Sequence, residues 1–308
     1  MWFPFFVLMV TVSPRSISLT THLVTSCRER EKNLERRLPA CNKSACPTLI
    51  IKTINNMTDS LGRTVLRFLL WCLFYCAVAV IGNIVGNFTN IDEIMSWTML
   101  SGFVLMTVVY LGKHYVVLSF GRIERRAVWP AVGMSVLIAA AYVLLMVSVF
   151  SLFDFEHLFS KDVESLEKTG DHLFPGIAGL LYGCLFCPLL EEIGLRGILL
   201  GGLLKSRCRP WLAILITAVI FALFHGVGVH FFVSFIFALI VGWLFWRTGS
   251  IIPCIIVHIV NNSLSFIDLS GQANVVLMLV LVGSLLSFAF ALWWFAKKCV
   301  APATSRAD

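Results

Sequence analysis

Two adjacent carboxylates, Glu191 and Glu192, lie inside an apolar stretch covering residues 173–204. A charged group facing lipid at that depth costs about 3 kcal/mol or more, so the pair needs a reason. On a helix, residues four apart share a face, which makes Arg196 the natural partner of Glu192. Glu191, rotated by about 100°, is left to face something else. A carboxylate held by arginine stays ionised, whereas an unpaired one in a low-dielectric setting serves as a base near neutral pH. The spacing therefore divides the pair into a held carboxylate and a reactive one.

Two later apolar stretches carry polar groups at the same spacing, Phe221 with His225 and His258 with Asn262. Each pair forms one stripe on its helix. The apolar flanks favour neutral imidazoles that exchange one hydrogen bond or ligate a metal. Asn262 adds an amide donor suited to a developing oxyanion, and Asn261 beside it points to another face. With Arg196 at the cytosolic interface, Glu191 falls ~7 Å and His258 ~10 Å below it, while His225 falls deeper at ~16 to 24 Å. These depths predict a site opening to the cytosolic half of a bilayer.

The positioning elements follow from composition. The chain has 308 residues, 58% hydrophobic and only 13% charged, with a mean hydropathy of +0.88. That excludes a soluble globular domain and predicts an all-α, multi-pass membrane protein. Eight apolar runs approach the length that crosses ~30 Å of hydrocarbon, at 68–85, 94–111, 128–150, 173 to about 196, 211 to about 229, 231–246, 251–267 and 275–295. The loops alternate in basic content as positive-inside topology requires. Lys113, Arg122, Arg125 and Arg126 follow the second span and Lys205, Arg207 and Arg209 the fourth, whereas acids dominate residues 154–171 after the third. Eight spans with both termini cytosolic satisfy every loop. The same distribution accounts for the net charge of +7 without nucleic acid, and Arg247 reads as a basic residue closing the sixth span.

Residues 1–56 read as a poorly defined segment: the apolar start at 2–12 is too short to span, and a mixed-charge run follows at 28–32. Met57 leads directly into the first span and is an alternative translation start. Residues 57–298 then form the membrane domain, with its core at about 173–263, and 299–308 a cytosolic tail. Ten cysteines are scattered; Cys72, Cys76, Cys184, Cys187 and Cys254 fall in apolar runs and read as packing residues. His114, His157, His172 and His230 read as loop or near-loop residues. The sequon Asn87-Phe-Thr89 falls on the non-cytosolic side and matters only in a eukaryote.

The ordered set Glu-Glu-x-x-x-Arg (191–196), Phe-x-x-x-His (221–225) and His-x-x-x-Asn (258–262), with Pro188 and Gly197 flanking the first, resembles the CPBP (Abi) intramembrane protease family, which includes the type II CAAX prenyl endopeptidases. The resemblance covers about 173–263. It implies peptide-bond hydrolysis within the membrane, with Glu191 and His225 activating water and His258 and Asn262 stabilising the oxyanion. It implies a supporting role for Glu192 and Arg196. The substrate expected is a membrane-bound or prenylated peptide, and the membrane is the cell membrane of a bacterium or the endoplasmic reticulum of a eukaryote. Glu191, His225 and His258 are also zinc-type donors, but HExxH is absent and a glutamate-activated water needs no metal, so zinc and no metal both stay open. Buried Glu, His and Arg also build ion pathways, which makes a transporter the rival reading. A catalytically silent immunity or scaffold protein of the same family is a third. A transporter would show repeated, broken helices in two related halves, and no such symmetry is present in the sequence.

Overall fold

The computed structural model describes residues 46–89, 92–112, 121–153, 176–226, 228–265, 267, 269 and 271–299. The apolar start, the 28–32 charge run, the whole acidic loop at 154–171, Lys113 and its neighbours, His114, His157, His172 and the last residues of the tail lie outside them. The chain divides into compact units at 1–60 and 61–308; of the first, only the helical backbone from 46 onward is described.

All regular structure among the described residues is helical. The helices are α1 (Cys46–Thr89), α2 (Asp92–Gly112), α3 (Val128–Phe153), α4 (residues 176–205), α5 (Pro210–Phe224), α6 (Val229–Thr248), α7 (Ile252–Leu264) and α8 (Asn274–Lys298). Five of them contain stretches long and apolar enough to cross a membrane, and α2, α5 and α7 supply shorter apolar helices. The molecule is an all-α, polytopic membrane protein, as its composition predicts.

Burial identifies the central helix. Half of the most apolar window of α4 is buried in protein, against 17% for α8, so α4 lies at the centre and α8 turns mostly toward lipid. Around α4, α2 packs on its first half, α5 on its second and α7 on its middle, while α3 supports α7 and α8. Glycine lets α1 approach closely. A Cβ on Gly194 would lie 2.4 Å from the Trp71 ring, and one on Gly202 would lie 2.3 Å from Thr64. Trp71 belongs to an aromatic ladder, Phe68, Trp71, Tyr75, Phe103 and Tyr182, that ties α1 and α2 to α4 with ring centroids 4.7 to 5.7 Å apart.

The geometry of α4 departs from a uniform helix. Its six-residue α-helical segment Cys187–Glu192 is flanked by π-helical segments at Tyr182–Phe186 and Ile193–Leu200. Pro188 lacks an N–H to return to the preceding turn, which favours the first widening. The helix also continues to Lys205, so Arg196 sits mid-helix at 1% exposure and not at an interface as the sequence suggested. Apolar residues on both sides of the arginine extend the run, and its charge is met internally.

A second boundary also differs. The fifth span was expected to run to about residue 229, but α5 stops at Phe224. Gly226 and Gly228 have φ of 110° and 73°, values that favour glycine, and they fold the chain from α5 into α6. At the other end of α6, Gly249 adopts a left-handed cap, and Arg122 donates to the carbonyls of Trp246 and Arg247. The guanidinium thereby satisfies terminal carbonyls that the helix leaves unpaired.

Candidate active site

Each reactive group is placed by a different local device. Glu191 and Glu192 occupy the end of the α-helical segment of α4, between the two π-helical segments. His225 caps α5 with φ −93° and ψ 0°, a conformation found at turns and at many active-site residues. His258 lies in the middle of α7, with Asn262 one turn later. Measured along the helices, Glu191 is ~21 Å from the Lys205 end of α4 and His225 ~22 Å from the Pro210 end of α5, so these two agree in depth. His258 is only ~9 Å from the start of α7. All three meet, which requires α7 to begin well inside the ends of its neighbours or to run obliquely.

The groups converge on one carboxylate oxygen. Glu191 Oε2 lies 3.6 Å from His258 Nε2 and 3.9 Å from His225 Nε2. Glu192 Oε1 accepts Arg196 Nη1 at 2.9 Å and lies 2.8 Å from His258 Nδ1. Arg196 also donates from Nη2 to the Ala238 carbonyl at 3.2 Å, and its guanidinium carbon lies 5.1 Å from the Phe221 ring centroid. Phe221 and Phe237 wedge the imidazoles, with centroids 4.1 Å from His225 for the first and 5.0 Å from His258 for the second.

These contacts assign the ring protons. His225 Nδ1 is 2.8 Å from the Phe221 carbonyl, which can only accept, so the neutral ring carries its proton there. His258 Nδ1 faces the arginine-paired Glu192 carboxylate, and the same argument holds. Both neutral rings therefore direct the Nε2 lone pair toward Glu191 Oε2. Three acceptors facing one another leave a place suited to a proton or to the hydrogens of a water molecule. Access comes from one side: the His225 side chain is 29% exposed, against 3% for His258 and 5% for Glu191.

Asn262 stands slightly apart. Its amide donates to the Gly183 carbonyl in the first π-helical segment at 3.0 Å, and Asn261 donates to its oxygen at 3.3 Å. The amide group has two N–H bonds, so one remains after the Gly183 contact. Arg247, read from sequence as a basic residue closing α6, donates to the Ala296 carbonyl near the end of α8.

Two contributors were missed. Cys187, taken from sequence as packing, donates its thiol to Glu191 Oε1 at 3.2 Å, and Tyr75 on α1 lies 3.3 Å from its sulfur. The four-residue spacing from Cys187 to Glu191 was a usable signal; nothing in sequence links Tyr75 to either. No disulfide forms among the described cysteines, and Cys184 sits near the Asn262 carbonyl.

Tetrahedral zinc with bonds of about 2.0–2.2 Å holds its ligands about 3.3–3.6 Å apart, and the separations of 3.6 and 3.9 Å between Glu191 and the histidines lie at and beyond the upper end of that range. Among the described residues no cluster of three His, Cys, Asp or Glu has the arrangement of a metal site.

Residues 173–264 match the family model described as Type II CAAX prenyl endopeptidase Rce1-like. The match contains all seven residues that the three sequence motifs name. No curated protein and no solved structure matches the chain.

Proposed function

From the match of residues 173–264, which supports a membrane protease of the CPBP (Abi) family, we propose that the chain hydrolyses a peptide bond of a membrane-associated or lipidated, CAAX-type substrate by a water activated at Glu191. The observation that carries this reading is the convergence of His225 Nε2 and His258 Nε2, from two other helices, on Glu191 Oε2.

In this mechanism a water between Glu191 and His225 gives up a proton to the Glu191 carboxylate as its oxygen attacks the scissile carbonyl. The carbonyl π electrons move to oxygen. The one proton that the three facing acceptors can share sits on His258 Nε2 in this step, which donates it in a hydrogen bond to that oxyanion, with Glu192 holding Nδ1 and supplying counter-charge. The remaining Asn262 N–H is the second donor. Collapse of the tetrahedral intermediate breaks the C–N bond, and the proton held on Glu191 passes to the leaving amine. Arg196 holds the Glu192 carboxylate in place through these steps. No step requires a metal ion.

The partial exposure of His225 supports entry of water and peptide at the α5 to α6 turn. The basic loops at 122–126 and 205–209 support placing both termini on the cytosolic side, which puts the α5 to α6 turn, ~22 Å along α5 from the second of these loops, toward the opposite face and not in the cytosolic half that the sequence suggested. Single-cysteine labelling of those loops from either face of sealed vesicles tests the orientation.

Purified protein in lipid vesicles, given a fluorogenic prenylated CAAX peptide, tests the activity. Cleavage by the wild type and none by Glu191→Ala is the expected result. Full activity in a folded Glu191→Ala variant would overturn the assignment.

A further inference from the structure

Glu191 turns its two oxygens to different neighbours, and the one facing away from the histidines is held by a side chain outside the three motifs. Oε1 accepts the Cys187 thiol at 3.2 Å, and Cys187 Sγ lies 3.3 Å from the Tyr75 hydroxyl. An ionised carboxylate only accepts, so the thiol proton is committed to Glu191 and Tyr75 is the donor to sulfur. The Tyr182 hydroxyl joins the same cluster through Tyr75 and Cys187. Hydrogen-bond polarity therefore runs from the tyrosines through sulfur to the carboxylate.

The support behind the thiol is rigid. Tyr75 is 3% exposed and lies between Trp71 and Phe103, with ring centroids 5.4 and 4.7 Å away. Cys187 is one turn before Glu191 on the same short α-helical segment, so the contact is local and its register is fixed by the helix.

We infer that Cys187, backed by Tyr75, is the positioning residue of Glu191: the S–H···Oε1 bond sets the rotation of the carboxylate so that Oε2 meets His225 and His258. The proposal rests on Glu191 being the base. A thiol is a weak donor, so it orients the carboxylate while stabilising its ionised form less than a hydroxyl or amide would. That suits a group that must take a proton. A helix without any of the three motifs, α1, thereby acts on the reaction through Tyr75.

Two measurements on full-length protein in phosphatidylcholine vesicles test this. In infrared spectra, the difference between wild type and Cys187→Ser isolates the Cys187 S–H stretch. That band is expected to move to higher frequency in Glu191→Ala, where the acceptor is gone, and to shift in Tyr75→Phe. A band at the wild-type position in both variants would overturn the inference. In cleavage of a fluorogenic prenylated CAAX peptide, Cys187→Ala is expected to lower kcat by about ten- to a hundredfold with KM unchanged, as displacement of a reacting group does. Cys187→Ser, which keeps a donor, is expected to stay within about fivefold of wild type. Wild-type kcat in Cys187→Ala, or a serine variant no better than alanine, would contradict it. Should the wild type cleave no peptide, the reading of the site as a peptidase fails, and the infrared result still decides the contact.

Discussion

His258 Nδ1 lies 2.8 Å from Glu192 Oε1, the same oxygen that accepts Arg196 Nη1 at 2.9 Å. One fully buried carboxylate thus serves two partners, an arginine on its own helix and an imidazole from α7. Glu192 Oε2 and Arg196 Nε find no hydrogen-bond partner among the described residues, so the pair is not arranged for maximal stability. A buried ion pair is in general a weak stabiliser, and the contact to His258 supplies a reason for its presence.

The two duties separate in a double variant. Removing Glu192 alone strands the Arg196 charge and is expected to destabilise the fold by about 3–5 kcal/mol. Glu192→Leu combined with Arg196→Leu removes both charges and is expected to restore the melting temperature to near wild type. Activity in the double variant is expected to stay at least about a hundredfold low, because His258 has lost the acceptor that fixes its tautomer. A double variant with wild-type kcat would remove Glu192 from the reaction.

Substitution at His225 reads the open side of the site. His225→Ala removes one of the two imidazoles at Glu191 while leaving the Glu192, Arg196 and His258 contacts intact, so kcat is expected to fall by about 10² to 10⁴. The half-buried ring ends a helix and is not deep in the core, so the melting temperature is expected to move by only a few degrees. Circular dichroism and peptide cleavage on the same preparation check both parts.

Much of this arrangement was legible in the sequence. The i,i+4 spacing predicted the Glu192 to Arg196 pair, and hydropathy predicted the helices, because both depend on local periodicity. Depth was not legible. Arg196 was expected at an interface, yet α4 continues nine residues beyond it, since a charge neutralised inside the bundle does not end a helix. The turn after His225 was hidden because Gly226 and Gly228 take positive φ inside an otherwise apolar run. Cys187 and Tyr75 were missed for different reasons: a thiol reads as a small hydrophobe, and the Tyr75 contact bridges 112 residues.

Gly194 lies between the two reactive halves of the first motif, and its role is steric. A Cβ there would meet the Trp71 ring at 2.4 Å, and Trp71 is 2% exposed within the aromatic ladder, leaving the ring little room to yield. Gly194→Ala is expected to destabilise by about 1–3 kcal/mol through overpacking. Trp71→Ala in the same chain is expected to relieve part of that loss, so a double-mutant cycle should give a coupling of at least about 0.5 kcal/mol. Strict additivity of the two substitutions would show that the close approach does not govern stability.

The metal question is decided by chelation with a paired measurement of content. The Glu191 to histidine separations of 3.6 and 3.9 Å lie at and beyond the upper end of the ligand spacing of about 3.3–3.6 Å around tetrahedral zinc. The proposed water activation uses the carboxylate itself, so o-phenanthroline is expected to leave cleavage unchanged and elemental analysis to find far less than one zinc per chain. The chelated protein is also expected to keep its melting temperature, since side-chain packing such as the aromatic ladder joins the helices around the site. Loss of cleavage on chelation, with recovery on adding zinc alone, would require Glu191, His225 and His258 to close by several tenths of an ångström around the ion. Those three side chains would then be ligands, and the base that accepts the water proton would have to be sought elsewhere.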